Sequence, residues 1–224
     1  MKPPLYRRLV DRLRDRSLLP EGERGIRELG HRRYVGGSWD SIGRLQLEFL
    51  VGHGLRPHHA FLDIGCGSLR AGIHLIPYLD PGRYFGIEKH AGLLQAALEV
   101  ELSPRVVAER RPRLHVCADF DFRVLDTRFD CALAHSLFTH LAPGEVTLCL
   151  GRLRPCMADG AGLWATFLEC PQPRANPPRS HDHGRFEYTR VQMIDFGDQT
   201  GWRTEYVGDW GHPRGQVMVR YLPA

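Results

Sequence analysis

Leu62-Asp63-Ile64-Gly65-Cys66-Gly67-Ser68 is the stretch on which the reading of this chain turns. Residues 60–64 form a short apolar run followed by two glycines one residue apart, the pattern of a buried strand entering a tight loop. Gly65 and Gly67 permit backbone conformations that a side chain forbids, and let a ligand approach the main chain. A ligand at such a loop sits at the carboxyl end of a parallel strand. A dinucleotide fingerprint asks for a third glycine at position 70, but Arg70 stands there, with glycine only at 72. That weakens a pyrophosphate site at the next helix N-terminus and disfavours an NAD-dependent dehydrogenase. Asp63, just before the glycines, repels a pyrophosphate but pairs with the ammonium of an amino-acid moiety.

Working outward, strands are predicted over residues 60–64, 84–87, 114–117, 129–134, 162–167, 202–207 and 216–222. Helices are predicted over 69–78, 93–102, 143–157 and 191–200. This alternation predicts an α/β protein with a Rossmann-like, seven-stranded, mostly parallel, doubly wound sheet. The last two strands follow one another without a helix, so the last one runs antiparallel. Upstream, Leu5, Leu9 and Leu13 mark an amphipathic helix opened by Pro3-Pro4. Pro20 and the glycines at 22, 25 and 30 break up the chain, and another helix runs from about Ser38 or Asp40 to Gly54. Residues 1–58 are therefore expected to form an N-terminal helical and lid segment. Residues 59–224 are expected to form the Rossmann-like domain, the two making one compact unit. The leucine stripe offers a surface for the domain or for a second subunit in a homodimer.

Bulk properties agree with a single enzyme-sized domain. The chain has 224 residues, 42% of them hydrophobic and 25% charged. No apolar run reaches the ~18 residues of a membrane span, and the start leads into charge, not into an apolar signal core. The six cysteines form no Cys-x-x-Cys pair and most sit in apolar stretches, which suggests neither a zinc knuckle nor a disulfide framework. A reducing, cytoplasmic setting is expected. Residues 1–33 hold ten Lys or Arg against five acids, a local excess of +5 in a chain of net charge +4. Such a patch suits nucleic acid or anionic lipid, although a solvated helix face explains it as well.

The acid-then-glycine order of residues 62–67 resembles the class I S-adenosylmethionine-dependent methyltransferases. Glu88 ends the predicted second strand, 25 residues after Asp63, where an acid accepts both ribose hydroxyls. Asp119-Phe120 follows the third strand, where an acid takes the adenine amino group and a ring lies on the base. Asp121-Phe122 repeats that pattern and leaves the register open. Residues 34–54, 62–72, 135–141 and 211–216 look like a group of small bacterial O-methyltransferases, some of which act on sugars. The resemblance implies S-adenosylmethionine as cofactor, S-adenosylhomocysteine as product and a hydroxylated small molecule as acceptor. Asp63, Gly65, Cys66, Gly67, Glu88, Asp119, Phe120, His135 and Ser136 are the expected cofactor contacts. Tyr34 and Trp39, beside Gly36 and Gly37, are expected to fold over the cofactor as a water-excluding lid.

Methyl transfer to a hydroxyl needs a base, because an alcohol is hardly ionised at neutral pH. Histidine suits the task, with an ordinary pKa of ~6.5. His135-Ser136-Leu137-Phe138-Thr139-His140 follows the fourth strand, His181-Asp182-His183 lies in the connection after the fifth, and His212 lies on the last turn. His140 is expected to face the acceptor, with His135 and His212 as further catalytic candidates. A divalent cation held by His181 and His183, with Asp182, His140 and His212 nearby, is the less favoured arrangement. Two other functions stay open. An N- or S-methyltransferase needs little base assistance, and a nucleic-acid-binding modifier would use the basic N-terminus. The Asn-Pro-Pro-Tyr-type motif that would indicate base methylation is absent after the fourth strand.

Overall fold

The computed structural model describes residues 18–224. The expected helix around Leu5–Leu13, most of the basic patch and the homodimer surface fall outside them. Strand β1 (Phe61–Ile64) is buried along its whole length. β2 (Tyr84–Glu88) and β4 (Phe129–Ala134) flank it in parallel, with Asp63 opposite Gly86 on one side and Leu133 on the other. β3 (Arg113–Val116) lies outside β2, and β5 (Met157–Glu169) outside β4. β7 (Trp202–Asp209) and β8 (Val217–Pro223) complete the order β3-β2-β1-β4-β5-β8-β7, with β8 antiparallel to both neighbours. A two-residue β6 (Glu187–Tyr188), not foreseen from the sequence, pairs with the end of β5.

Helices cover both faces, as successive β1 residues require by pointing alternately up and down. Phe61 joins Leu50, Leu75, Leu94 and Trp164 on one side. That layer comprises α3 (Trp39–Gly52), α4 (Gly72–Tyr78), α5 (Ala91–Ala96) and α6 (Pro104–Arg110). Leu62 joins Phe85, Val146, Leu150 and Phe196 on the other, under α7 (Pro143–Leu153) and α8 (Arg190–Asp198). The chain runs from β1 toward β2 and β3 on one side, and later to β4 and β5 on the other. The crevice where this order reverses, at the carboxyl ends of β1 and β4, is where such sheets bind ligands.

Local chemistry explains the boundaries. The expected helix over 143–157 stops at Leu153, because Pro155 leaves only a short 3-10 turn before β5. Residues 93–102 divide into the end of α5 and a π-helical turn, Ala97–Glu101. α6 has its own start signal, Ser103 accepting from Val106 N at 3.3 Å with Pro104 behind it. α8 opens on a capping box: Thr189 Oγ1 accepts from Gln192 N at 3.1 Å, and Gln192 Oε1 accepts from Thr189 N at 3.0 Å. The glycine-broken region forms two helices, α1 (Gly22–Leu29) and α2 (His31–Tyr34). Gly25 is no breaker there, since a Cβ would approach Pro20 O at 1.9 Å, so glycine lets the chain fold back on itself.

Candidate active site

At the carboxyl ends of β1, β2 and β4 lies a cavity of about 570 Å³, within the ~300–1,000 Å³ typical of small-molecule sites. The loop after β1 makes its floor. Gly67 has φ +57°, and a Cβ there would come within 3.0 Å of Val35, so side-chain bulk at this point would push on the overlying segment. Asp63 is 4% exposed and accepts a hydrogen bond from Tyr84 Oη at 2.7 Å. Burial raises its pKa to about 6, against the lowering effects of Tyr84 and Arg70. Glu88 is 7% exposed; Oε2 accepts from Gly67 N at 3.0 Å and Oε1 from His90 N at 3.1 Å. Burial pushes it upward too, opposed by those backbone donors. Both carboxyls line the cavity, beside Gly65, Gly67 and Cys66, whose buried thiol is held neutral.

The turn after β4 supplies the next wall. Ser136 has φ +55°, a strained conformation for a serine, of the kind that clusters at ligand sites. It persists because its N–H donates to Thr166 Oγ1 at 2.7 Å and its hydroxyl meets Gln216, which also bonds Thr166. This turn carries His135, Ser136 and His140 into the cavity lining. His140 Nδ1 donates to Gly184 O at 2.7 Å, which leaves Nε2 as the proton-accepting nitrogen of the neutral ring. His135 differs: Arg70 Nη2 donates to its Nδ1 at 3.1 Å, so Nε2 carries the hydrogen. Burial first, then the Arg70 charge, hold it well below the ordinary histidine value. His135 is therefore a neutral donor and unsuited to the base role expected for it.

Three segments roof the cavity, and Asp182 joins them. Its carboxylate accepts from Tyr34 Oη, from Gly22 N at 3.0 Å and from His90 Nε2 at 3.0 Å, and it pairs with Lys89. Burial alone would raise its pKa, but the hydrogen bonds from His90, Lys89 and Tyr34 outweigh it and hold the carboxyl far below the usual range. Residues 35–37 are clasped from below. Arg70 Nη1 donates to Val35 O and Gly37 O at 3.1 Å, and Arg214 donates to Gly36 O. The lid expected around Tyr34 is thus fastened at both ends.

Several expected residues lie elsewhere. Trp39 packs edge-on against His31 and under Arg32, outside the cavity lining, because the helical start at residue 39 turns it toward α2. Asp119 is exposed and outside the lining, where it engages Cys117, Asp121 N and Arg152; Phe120 does line the cavity. His212 is stacked on Trp210 behind His135, and burial and the nearby arginines lower it to about 4, which removes it as a base. The cation arrangement also fails. His181 Nδ1 accepts from His183 N and Gly184 N, its Nε2 faces Glu21, and His183 Nε2 faces Pro20 O. Among the described residues no group of three or more His, Cys, Asp or Glu could hold a metal ion. The sequence reading gave no site role to Arg70, Lys89, His90, Arg214 or Gln216. Arg70, at the third-glycine position, is the one among them that a local sequence signal marks.

No family model matches the chain. Its fold is similar to that of the CcbJ methyltransferase from Streptomyces caelestis, at 14% identity and a TM-score of 0.66, covering 85% of this chain and 92% of that one. Magnesium protoporphyrin IX methyltransferase from Synechocystis PCC 6803, solved with bound S-adenosylmethionine, matches at 14% identity and a TM-score of 0.61, covering 86% and 89%. The glycopeptide N-methyltransferase MtfA, complexed with S-adenosylhomocysteine, matches at 15% identity and a TM-score of 0.63, covering 83% and 90%. The chain has the Rossmann-like fold of the S-adenosylmethionine-dependent methyltransferases. Among the described residues no helix is long and apolar enough to cross a membrane.

Proposed function

We propose that this protein transfers the methyl group of S-adenosylmethionine to a hydroxyl of a small molecule, a sugar among the candidates, with His140 as the base. The observation that carries the reading is the meeting of Asp63, the glycine loop and Glu88 on one wall of a cavity that His140 also lines. The buried carboxyls fit the cofactor: an ammonium beside Asp63 and hydroxyls donating to Glu88 relieve the burial that raises both. Phe120 offers a ring for the adenine. S-adenosylmethionine, when bound, would supply an electrophilic methyl on its sulfonium, the S–CH3 bond breaking to leave S-adenosylhomocysteine with the electron pair on sulfur. As the new O–C bond forms, His140 Nε2 takes the hydroxyl proton, while Nδ1–H stays on Gly184 O and fixes the ring. The roof around Tyr34 and Asp182 keeps water from the transfer.

Titration calorimetry with S-adenosylmethionine and its homocysteine product tests the cofactor, and S-adenosylhomocysteine release over a panel of hydroxylated compounds tests the acceptor. His140→Ala is expected to abolish turnover and keep cofactor affinity; unchanged turnover removes His140 from the base role. The likeness to the N-methyltransferase MtfA favours an amine acceptor as second reading. An amine would let the His140 variant retain activity.

A further inference from the structure

Two histidines of the cavity lining, His181 and His140, hold opposite tautomers and share one peptide segment. His181 Nδ1 accepts from both His183 N and Gly184 N at 3.0 Å, so that nitrogen is bare and the ring's hydrogen sits on Nε2. His140 Nδ1 donates to Gly184 O at 2.7 Å, so its hydrogen sits on Nδ1. Gly184 thus gives its N–H to one ring and its carbonyl to the other. No side chain fits at this residue, since a Cβ would come within 2.9 Å of His181 Cβ and 3.3 Å of His181 Cγ. The loop is also tied down on either side of Gly184: His181 N donates to His140 O and Phe186 N to Thr139 O, both at 3.0 Å.

An asparagine at 181 would make the same turn, because its side-chain oxygen accepts from the backbone two residues on. Histidine adds a second arm. Its Nε2 faces Glu21 Oε1 at 3.2 Å, and Glu21 Oε2 accepts from Asp182 N at 3.0 Å. The Asp182 carboxylate reciprocates by accepting from Gly22 N at 3.0 Å. The start of α1 is thereby cross-bonded to the loop, and the His181 ring has a partner at each nitrogen. It cannot rotate without breaking both Nδ1 bonds and leaving Glu21.

We propose that His181 is the positioning residue for His140: by accepting the Gly184 N–H it aims the Gly184 carbonyl at His140 Nδ1 and keeps Nε2 of that ring as the accepting nitrogen. Its effect on turnover rests on the base reading above, whereas its effect on the His140 ring does not. Without the carbonyl, the His140 ring is free to turn and to exchange tautomers. A base must present its accepting nitrogen to the proton it takes, and a displacement of ~1 Å costs up to ~100-fold in rate.

Long-range proton–nitrogen spectra of the histidine rings, recorded at about pH 8 where free imidazole is neutral, test this without a substrate. Wild type is expected to show His181 protonated on Nε2 and His140 on Nδ1. His181→Leu removes the acceptor and is expected to turn the His140 pattern into an average of both tautomers, while His181→Asn restores the Nδ1–H form. With an acceptor found in the panel above, His181→Leu lowers kcat ~10-fold or more at unchanged KM for S-adenosylmethionine, and His181→Asn recovers most of the loss. Wild-type affinity for S-adenosylhomocysteine reports that each variant is folded. Any other pair of tautomers in wild type overturns the proposal, and that spectrum stands even where a variant fails to fold. A His140 pattern unchanged in His181→Leu overturns it too. So does an unchanged kcat in His181→Leu beside an inactive His140→Ala, or a loss that falls on cofactor affinity instead. Should His140→Ala keep its turnover while His181→Leu scrambles the His140 tautomers, the base reading fails and the positioning of the ring stands.

Discussion

Replacing Asp63 by asparagine separates what this side chain does for the fold from what it does for a ligand. The side chain is 4% exposed, and its pKa rises from the ordinary 3.8 to about 6, chiefly through burial. A proton held that much more tightly in the folded state corresponds to ~3 kcal/mol. The sign follows from the folded value lying above the unfolded one. Ionised Asp63 costs the fold that amount at pH 8; the cost shrinks as pH falls from about 6 toward 3.8, and is gone below 3.8. Asparagine keeps the shape and an oxygen for Tyr84 Oη but carries no charge. Asp63→Asn is therefore expected to stabilise the ligand-free protein by up to ~3 kcal/mol at pH 8, with the gain fading toward pH 4. The same change removes a charge-assisted partner for an ammonium, worth ~1.5–3 kcal/mol, so cofactor affinity falls ~10-fold or more. Urea unfolding at several pH values, with and without S-adenosylhomocysteine, reads both effects. An apo variant less stable than wild type at pH 8, or a gain that does not vary with pH, would refute the reasoning.

Glu88→Ala is expected to weaken S-adenosylmethionine binding ~10-fold or more, because it removes a buried acceptor that faces the cavity. Asp119→Ala, outside the lining, leaves binding unchanged by the same calorimetry. Asp182→Ala leaves Tyr34, His90 and Gly22 without their shared acceptor, and hydrogen exchange should rise in residues 20–37 and 180–185. Since the Asp182 carboxyl is held below its unfolded value, its contribution is complete above pH ~4 and is lost as pH falls further. Acid unfolding of wild type should accordingly be steeper than that of Asp182→Asn. Thr189→Ala breaks the capping box of α8 and is expected to cost ~1 kcal/mol in thermal unfolding.

The sheet was legible because its signals are local. β4 falls on the predicted residues, and the absence of a helix between β7 and β8 foretold the antiparallel pairing. The floor of the site was legible for the same reason, since Asp63, Gly65, Gly67 and Glu88 sit at strand ends. The roof was not. Asp182 meets Gly22 across 160 residues and Tyr34 across 148, and no periodicity encodes such contacts. Nor could the sequence rank the histidines. His135 and His212 are buried and accept at Nδ1, whereas His140 is half-buried and donates there, and these differences depend on partners brought together only by folding.

The position of β8 makes the site dependent on the chain beyond residue 216. It lies between β5 and β7, and among the described residues β7 has no other neighbour in the sheet, so loss of residues 217–223 would strip two strands. Gln216, at its threshold, props the strained Ser136 turn that follows β4. During synthesis β1 to β4 emerge long before that prop exists. A nascent chain can lay down the parallel half of its sheet on the ribosome, yet the histidine wall acquires its shape only after residue 216 has cleared the exit tunnel.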